Sequence, residues 1–106
     1  MATSKEYLEF VKERFFSIEG IVFRPMMGEY LIYYRDKLIG GIYDNRVLIK
    51  PTEAAKRLLG AVYEIPYSGA KEMILLDIET EKADILNLLE QIYPQLPVPK
   101  RKSKGK

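Results

Sequence analysis

Arginine, lysine, tyrosine and the carboxylates are the side chains with which this chain can do chemistry, because its 106 residues include no His and no Cys. The groups most used for proton transfer near neutral pH, thiol attack and transition-metal ligation are therefore missing. What remains can pair with ions, stack or donate hydrogen bonds. Arg24, Met26, Met27 and Glu29 fall in one turn that leads into Tyr30. Met adapts to irregular contacts, and Arg and aromatic residues dominate interface hot spots, so this turn reads as a partner surface, against the alternative that its Met side chains fill the core. Tyr67 and Lys71 complete the expected surface. Tyr30, Tyr33, Tyr34 and Tyr43 crowd one segment and suit a stacking platform or an interface, but strand alternation separates Tyr30 and Tyr34 from Tyr33. A small-molecule site or an enzyme would have to use Arg24, Tyr67 and Lys71, with pKa values shifted by their surroundings.

Two weaker patterns read as plain surface. Ser68-Gly69-Ala70-Lys71 lacks the G-x-x-x-x-G-K-[ST] spacing whose backbone amides cradle phosphate, so it is expected to be a turn with Lys71 exposed. Asp77, Glu79 and Glu81 do not follow a calcium-loop pattern and read as helix-start or solvated charges. No metal or cofactor is expected. Lys100, Arg101, Lys102, Lys104 and Lys106 are sharper, since five cations without an anion could neutralise several phosphates in a salt-dependent, sequence-independent manner. The tail carries no aromatic residue for stacking on bases, and the alternative is a solubilising end.

The elements that must hold these residues are legible from periodicity. Thr3 and Glu6 have capping-box spacing, and Leu8, Val11, Phe15 and Ile18 recur at helical intervals, which predicts a helix over 4–18 closed by Gly20. Ile21-Val22-Phe23 starts a strand that Pro25 ends or confines to a sheet edge. Residues 30–35 alternate faces, Asp36-Lys37 reverses the chain, and 38–43 returns through Gly40-Gly41, where the backbone must bend, bulge or pass beneath another element. The first helix is expected to cross there. Asp44-Asn45-Arg46 forms a second turn into the strand 47–49. Thr52 caps a short helix that begins at Glu53 and closes at Gly60. Extended chain and turn over 63–71 precede an apolar strand at 73–78. Ile85, Leu86, Leu89, Ile92 and Tyr93 then form a helical stripe that Pro94 blocks.

This order predicts an α+β fold of two layers, with a mainly antiparallel sheet of about five strands and helices on one face. Residues 1–93 are expected to form one domain, followed by a Pro-containing linker and basic tail over 94–106. Hydrophobic residues make up 47% and charged residues 30%, and no apolar run reaches the roughly 20 residues of a membrane span. With no signal-like leader at its start, the chain is expected to be cytoplasmic. The net charge is +2, yet outside the tail 12 basic residues face 15 acidic ones, a net of −3. The basic character belongs to the tail.

Several of these residues together resemble the N-terminal domain of the TfoX/Sxy family, bacterial proteins associated with natural competence and transcription. The resemblance covers most of 3–93. It rests on an Arg before a Met-containing turn, Gly28 and Tyr30, the hairpin at Asp36-Lys37, a strand from Asn45 to Lys50 ending in Leu-x-Lys, and the run from Pro66 to Met73. Where the family usually has Met-Phe-Gly-Gly, this chain has Met26-Met27-Gly28-Glu29. The resemblance implies a fold similar to secretion chaperones and no known catalytic activity. The expected function is a non-enzymatic regulatory or protein-interaction module, with an unknown protein partner such as a transcription regulator. The alternatives are a nucleic-acid accessory protein acting through the tail and a small-molecule-binding protein. A second copy of the chain is a further candidate partner, through an exposed strand edge.

Overall fold

A computed structural model describes residues 3–60 and 62–98. The basic residues Lys100, Arg101, Lys102, Lys104 and Lys106 lie outside the described residues. The elements run α1 (Lys5–Arg14), β1 (Ile21–Met26), β2 (Glu29–Tyr34), β3 (Lys37–Ile42), β4 (Val47–Ile49), α2 (Glu53–Leu59), β5 (Tyr63–Glu64), β6 (Met73–Leu76) and α3 (Lys82–Ile92), with a 3-10 turn at Tyr93–Gln95. The fold is α+β. All paired strands are antiparallel, in the order β1-β2-β3-β4-β6-β5. The sheet thus has six strands rather than five, because two residues of the 63–71 segment pair with β6.

Three two-residue reversals build the meander, and each puts both central residues in the left-handed region: Met27 and Gly28, Arg35 and Asp36, Asp44 and Asn45. Such turns match the right-handed twist of the strands they join. The first reversal after β2 therefore sits one residue earlier than the Asp36-Lys37 reading, and Lys37 already belongs to β3. Pro25 lies within β1, which is an edge strand. A residue without an N–H is tolerated there because one side of the strand needs no donor.

Gly40 and Gly41 are required for a different reason than the expected helix crossing. Ile39 is the extra residue of a bulge between β2 and β3, since Ile32 faces Gly40 whereas Tyr33 faces Leu38. A Cβ on Gly40 would collide with the Leu48 carbonyl oxygen and lie 2.9 Å from Ile49 Cα, so it is β4 that approaches. At Gly41 a Cβ would meet Tyr30 O at 2.6 Å and the Tyr43 ring at 2.8 Å.

The helices cover one face. Leu8 and Val11 of α1, Ala54 and Ala55 of α2, and Ile85, Leu88, Leu89 and Ile92 of α3 pack with Ile32, Ile42, Val47, Ile49, Ile74 and Leu76 of the sheet. Each fully buried aliphatic side chain contributes about 1.5–3 kcal/mol. Helix α1 ends a turn before the predicted residue 18, although Phe15 and Ile18 remain buried as the chain turns toward β1. Its cap is Ser4, whose Oγ accepts from Tyr7 N at 3.1 Å, not Thr3. Thr52 caps α2 as predicted, accepting from Ala55 N at 3.1 Å. Leu86 points outward at 39% exposure, and Leu88 takes the place assigned to it in the buried stripe. Packing also continues past 93: Leu96 is 5% exposed, and Gln95 Oε1 accepts from Ala54 N at 2.9 Å. The linker reading from residue 94 is corrected accordingly.

Candidate functional site

The face of the sheet turned away from the helices collects the side chains with chemical potential. Register places Arg24 opposite Leu31 and Val22 opposite Tyr33 on β1 and β2, Tyr33 opposite Leu38 on β3, and Gly41 opposite Leu48 on β4. Alternation keeps Leu31, Tyr33 and Leu38 off the helix-packed side. The Arg24 guanidinium sits 5.3 Å from the centroid of the Tyr33 ring, a cation–π arrangement.

Next to this open half, residues 65–72 fold back over the sheet. Their anchor is Arg46, whose Nη1 donates to Glu64 Oε1 at 2.7 Å, whose Nη2 donates to the carbonyls of Ile65 and Pro66, and whose Nε donates to Tyr43 O. Beneath the returning segment Leu48 is fully buried although it faces away from the helices. Tyr43 is also buried, with its ring 6.1 Å from that of Tyr67. Burial raises the Tyr43 phenol above its ordinary pKa, and the neighbouring Tyr67, Glu29 and Tyr33 act in the same direction. A pocket of about 300 Å³ opens between the segment and the sheet, floored by Leu38 and Tyr43 and walled by Pro66, Tyr67 and Met73. Lys50 and Lys71 stand at its lining.

The predicted surface residues are divided by this geometry. Arg24 is exposed on the open face, and Met27 is 97% exposed at the β1–β2 tip, which overturns the reading of that Met as core filler. Met26 is half-buried opposite Glu29. Tyr30 belongs to the other side, packed against the helix-covered core. Tyr34 follows it and is 1% exposed, with its ring edge-on to Tyr93. Tyr67 and Lys71 meet at the pocket.

Glu29 is a clasp. Its carboxylate accepts from Thr3 N at 3.0 Å, from Thr3 Oγ1 at 2.7 Å and from Asp44 N at 3.1 Å, so it ties the start of the chain to two turns of the meander. Ser4 N donates to Asn45 Oδ1 beside it. Arg46, Leu38, Lys50 and Met73 escaped the sequence reading as site residues. Only the strand period could have pointed to Leu38 and Lys50, and nothing local marks Arg46 as a clamp, because its partners in the covering segment lie 18 to 20 residues away.

A larger cleft of about 640 Å³ lies on the helix side, where Tyr7, Leu58, Leu59, Asp77, Asp84 and Asn87 meet. The Tyr7 phenol is held above its usual pKa by burial and then by Asp77. Among the described residues no group of three or more carboxylates could hold a metal ion.

Fold and face together define a small antiparallel α+β protein with helices on one side and an aromatic, cation-bearing surface on the other. The chain is 36% identical over 109 aligned positions to an uncharacterized 12.7 kDa protein in the trpE 5' region of Spirochaeta aurantia, an alignment that spans 100% of this chain and 95% of that protein. It belongs to the family of that protein. No family model and no solved structure matches the chain.

Proposed function

We propose that the protein is a non-enzymatic regulatory module of the TfoX N-terminal type, which binds a protein partner, such as a transcription regulator, in the cytoplasm. The single observation behind this reading is the open half of the sheet, where Arg24 lies over Tyr33 beside Val22, 50% exposed, and the fully presented Met27. An arginine on an aromatic ring and a protruding Met are side chains that form interface anchors, and the hydrogen-bonded meander fixes the backbone that presents them. Among the described residues no helix is long and apolar enough to cross a membrane.

The test is partner capture with the unaltered chain and with an Arg24→Ala/Met27→Ser double variant, both checked for folding by circular dichroism. Loss of a partner from the double variant alone supports this face as the contact; equal recovery of the same partner rejects it.

Five cations in the last seven residues favour a second reading, nucleic-acid association through the tail. Full-length chain and a 1–99 truncation are titrated with duplex DNA at two salt concentrations. Tail-dependent binding that weakens steeply with salt supports it, and identical affinities of the two forms eliminate it.

A further inference from the structure

We propose that the pocket between residues 65–72 and the open face of the sheet is a binding site for a small planar carboxylate, an aromatic acid of one or two rings. The inference goes beyond the partner reading, which uses Arg24, Tyr33 and Met27, and it stands on different residues.

Size comes first. At about 300 Å³ the pocket lies at the lower end of the range used for small ligands, too small for a folded partner's side-chain cluster and large enough for a ring system. Chemistry comes next. Leu38, Pro51, Pro66 and Met73 supply apolar walls, and the Tyr43 and Tyr67 rings, tilted 56° to each other, supply two aromatic surfaces. A flat hydrophobic body gains most from such a lining, because aromatic rings favour offset and edge-on contacts.

Charge then selects the headgroup. Lys50, half-buried at the end of β4, and Lys71 line the pocket with Glu72 as the single carboxylate, so one positive charge is left over. Neither lysine forms an ion pair with a described residue. Arg46, the cation that might have competed, is already occupied by Glu64 and the carbonyls of the covering segment. A carboxylate entering beside the rings would be met by an ammonium without breaking an existing pair, and that pairing is charge-assisted.

The site also has a built frame. Arg46 clamps the segment from one end, and Ala70 N donates to Tyr67 O at 3.0 Å within it, so the walls are held before any ligand arrives. A preformed pocket avoids the ordering cost that weakens small ligands.

The experiment titrates the full chain with 2-naphthoate, with its neutral counterpart 2-naphthalenemethanol and with the cationic 2-naphthylmethylamine. It follows the ring resonances of Tyr43 and Tyr67 by NMR and affinity by calorimetry. The expected result is saturable shifts of both rings by naphthoate, with the acid bound more tightly than the alcohol and the amine weakest. Lys50→Gln and Lys71→Gln are each expected to weaken naphthoate roughly threefold and together about tenfold, while leaving the alcohol unchanged. Both lysines lie outside the core, so the variants keep the fold, and the basic tail remains present in all of them. Equal affinity for acid and alcohol, naphthoate binding unchanged in the double variant, or shifts absent from Tyr43 and Tyr67 would each overturn the proposal. The Arg24→Ala/Met27→Ser variant should bind naphthoate normally, which separates failure of this site from failure of the partner surface.

Discussion

The Glu29 carboxylate organises three backbone or hydroxyl donors from distant parts of the chain. Glu29→Ala removes the 2.7 Å acceptor of the buried Thr3 hydroxyl and leaves it only the Ile42 carbonyl at 3.5 Å, and should cost about 1–3 kcal/mol in urea unfolding, with Glu29→Gln recovering part of that loss. Tyr43 gives a pH-dependent prediction. Its folded pKa is raised, so between the unfolded and folded values the native state holds the proton more firmly. Its stabilising contribution is complete below about pH 10 and is lost as pH rises beyond it. Tyr43→Phe should therefore lose less stability than the unaltered chain as pH rises above the ordinary tyrosine pKa of 10.0, when melting is followed through that rise. Residue types alone indicated that lysine, tyrosine and arginine would carry any chemistry. They did not indicate that Arg46 would be consumed in holding a loop, because hydrogen bonds across 18 to 20 residues leave no periodic trace.

At the scale of elements, the two central glycines of β3 should behave differently from a glycine in open space. Gly40→Ala drives a methyl into the backbone of β4, which cannot withdraw without breaking the sheet, and should cost about 3 kcal/mol or more. Gly60→Ala meets nothing within 4 Å but must hold φ at +74° with ψ at −177°, a conformation nearly confined to glycine, and should cost about 1–3 kcal/mol. Chemical denaturation of both variants checks the order. The strands and the α2 cap were readable because alternation, Thr52 and the turn residues 44–45 act locally. Helix α1 was read too long because Phe15 and Ile18 keep the helical spacing of apolar residues while the backbone has already turned; burial was predicted correctly and backbone state was not. The crossing over Gly40-Gly41 failed similarly: glycine announces a close approach without saying by what.

For the whole molecule, the packed unit runs to Leu96. A chain ending at 93 should be less stable than one ending at 98 by about 3 kcal/mol, from the lost burial of Leu96 and the lost Gln95 contact to α2, as measured by thermal melting. Composition could not show this, since Pro94, Pro97 and Pro99 look like a linker whether or not the leucine among them finds a core. The two-layer architecture was readable from element order, whereas the open face with its returning segment depends on pairing that no single stretch encodes. Strand order has one more consequence. From β1 through β4 each strand lies beside its chain neighbour, joined by two-residue reversals, so four of the six strands can close with little loss of chain entropy. These four strands are expected to form the folding nucleus, with α1, first in the chain, docking once its apolar stripe has the sheet to cover. Changes in the turns at 35–36 and 44–45 would then slow refolding, while trimming Leu89 in α3 would chiefly hasten unfolding, a division that stopped-flow kinetics resolves.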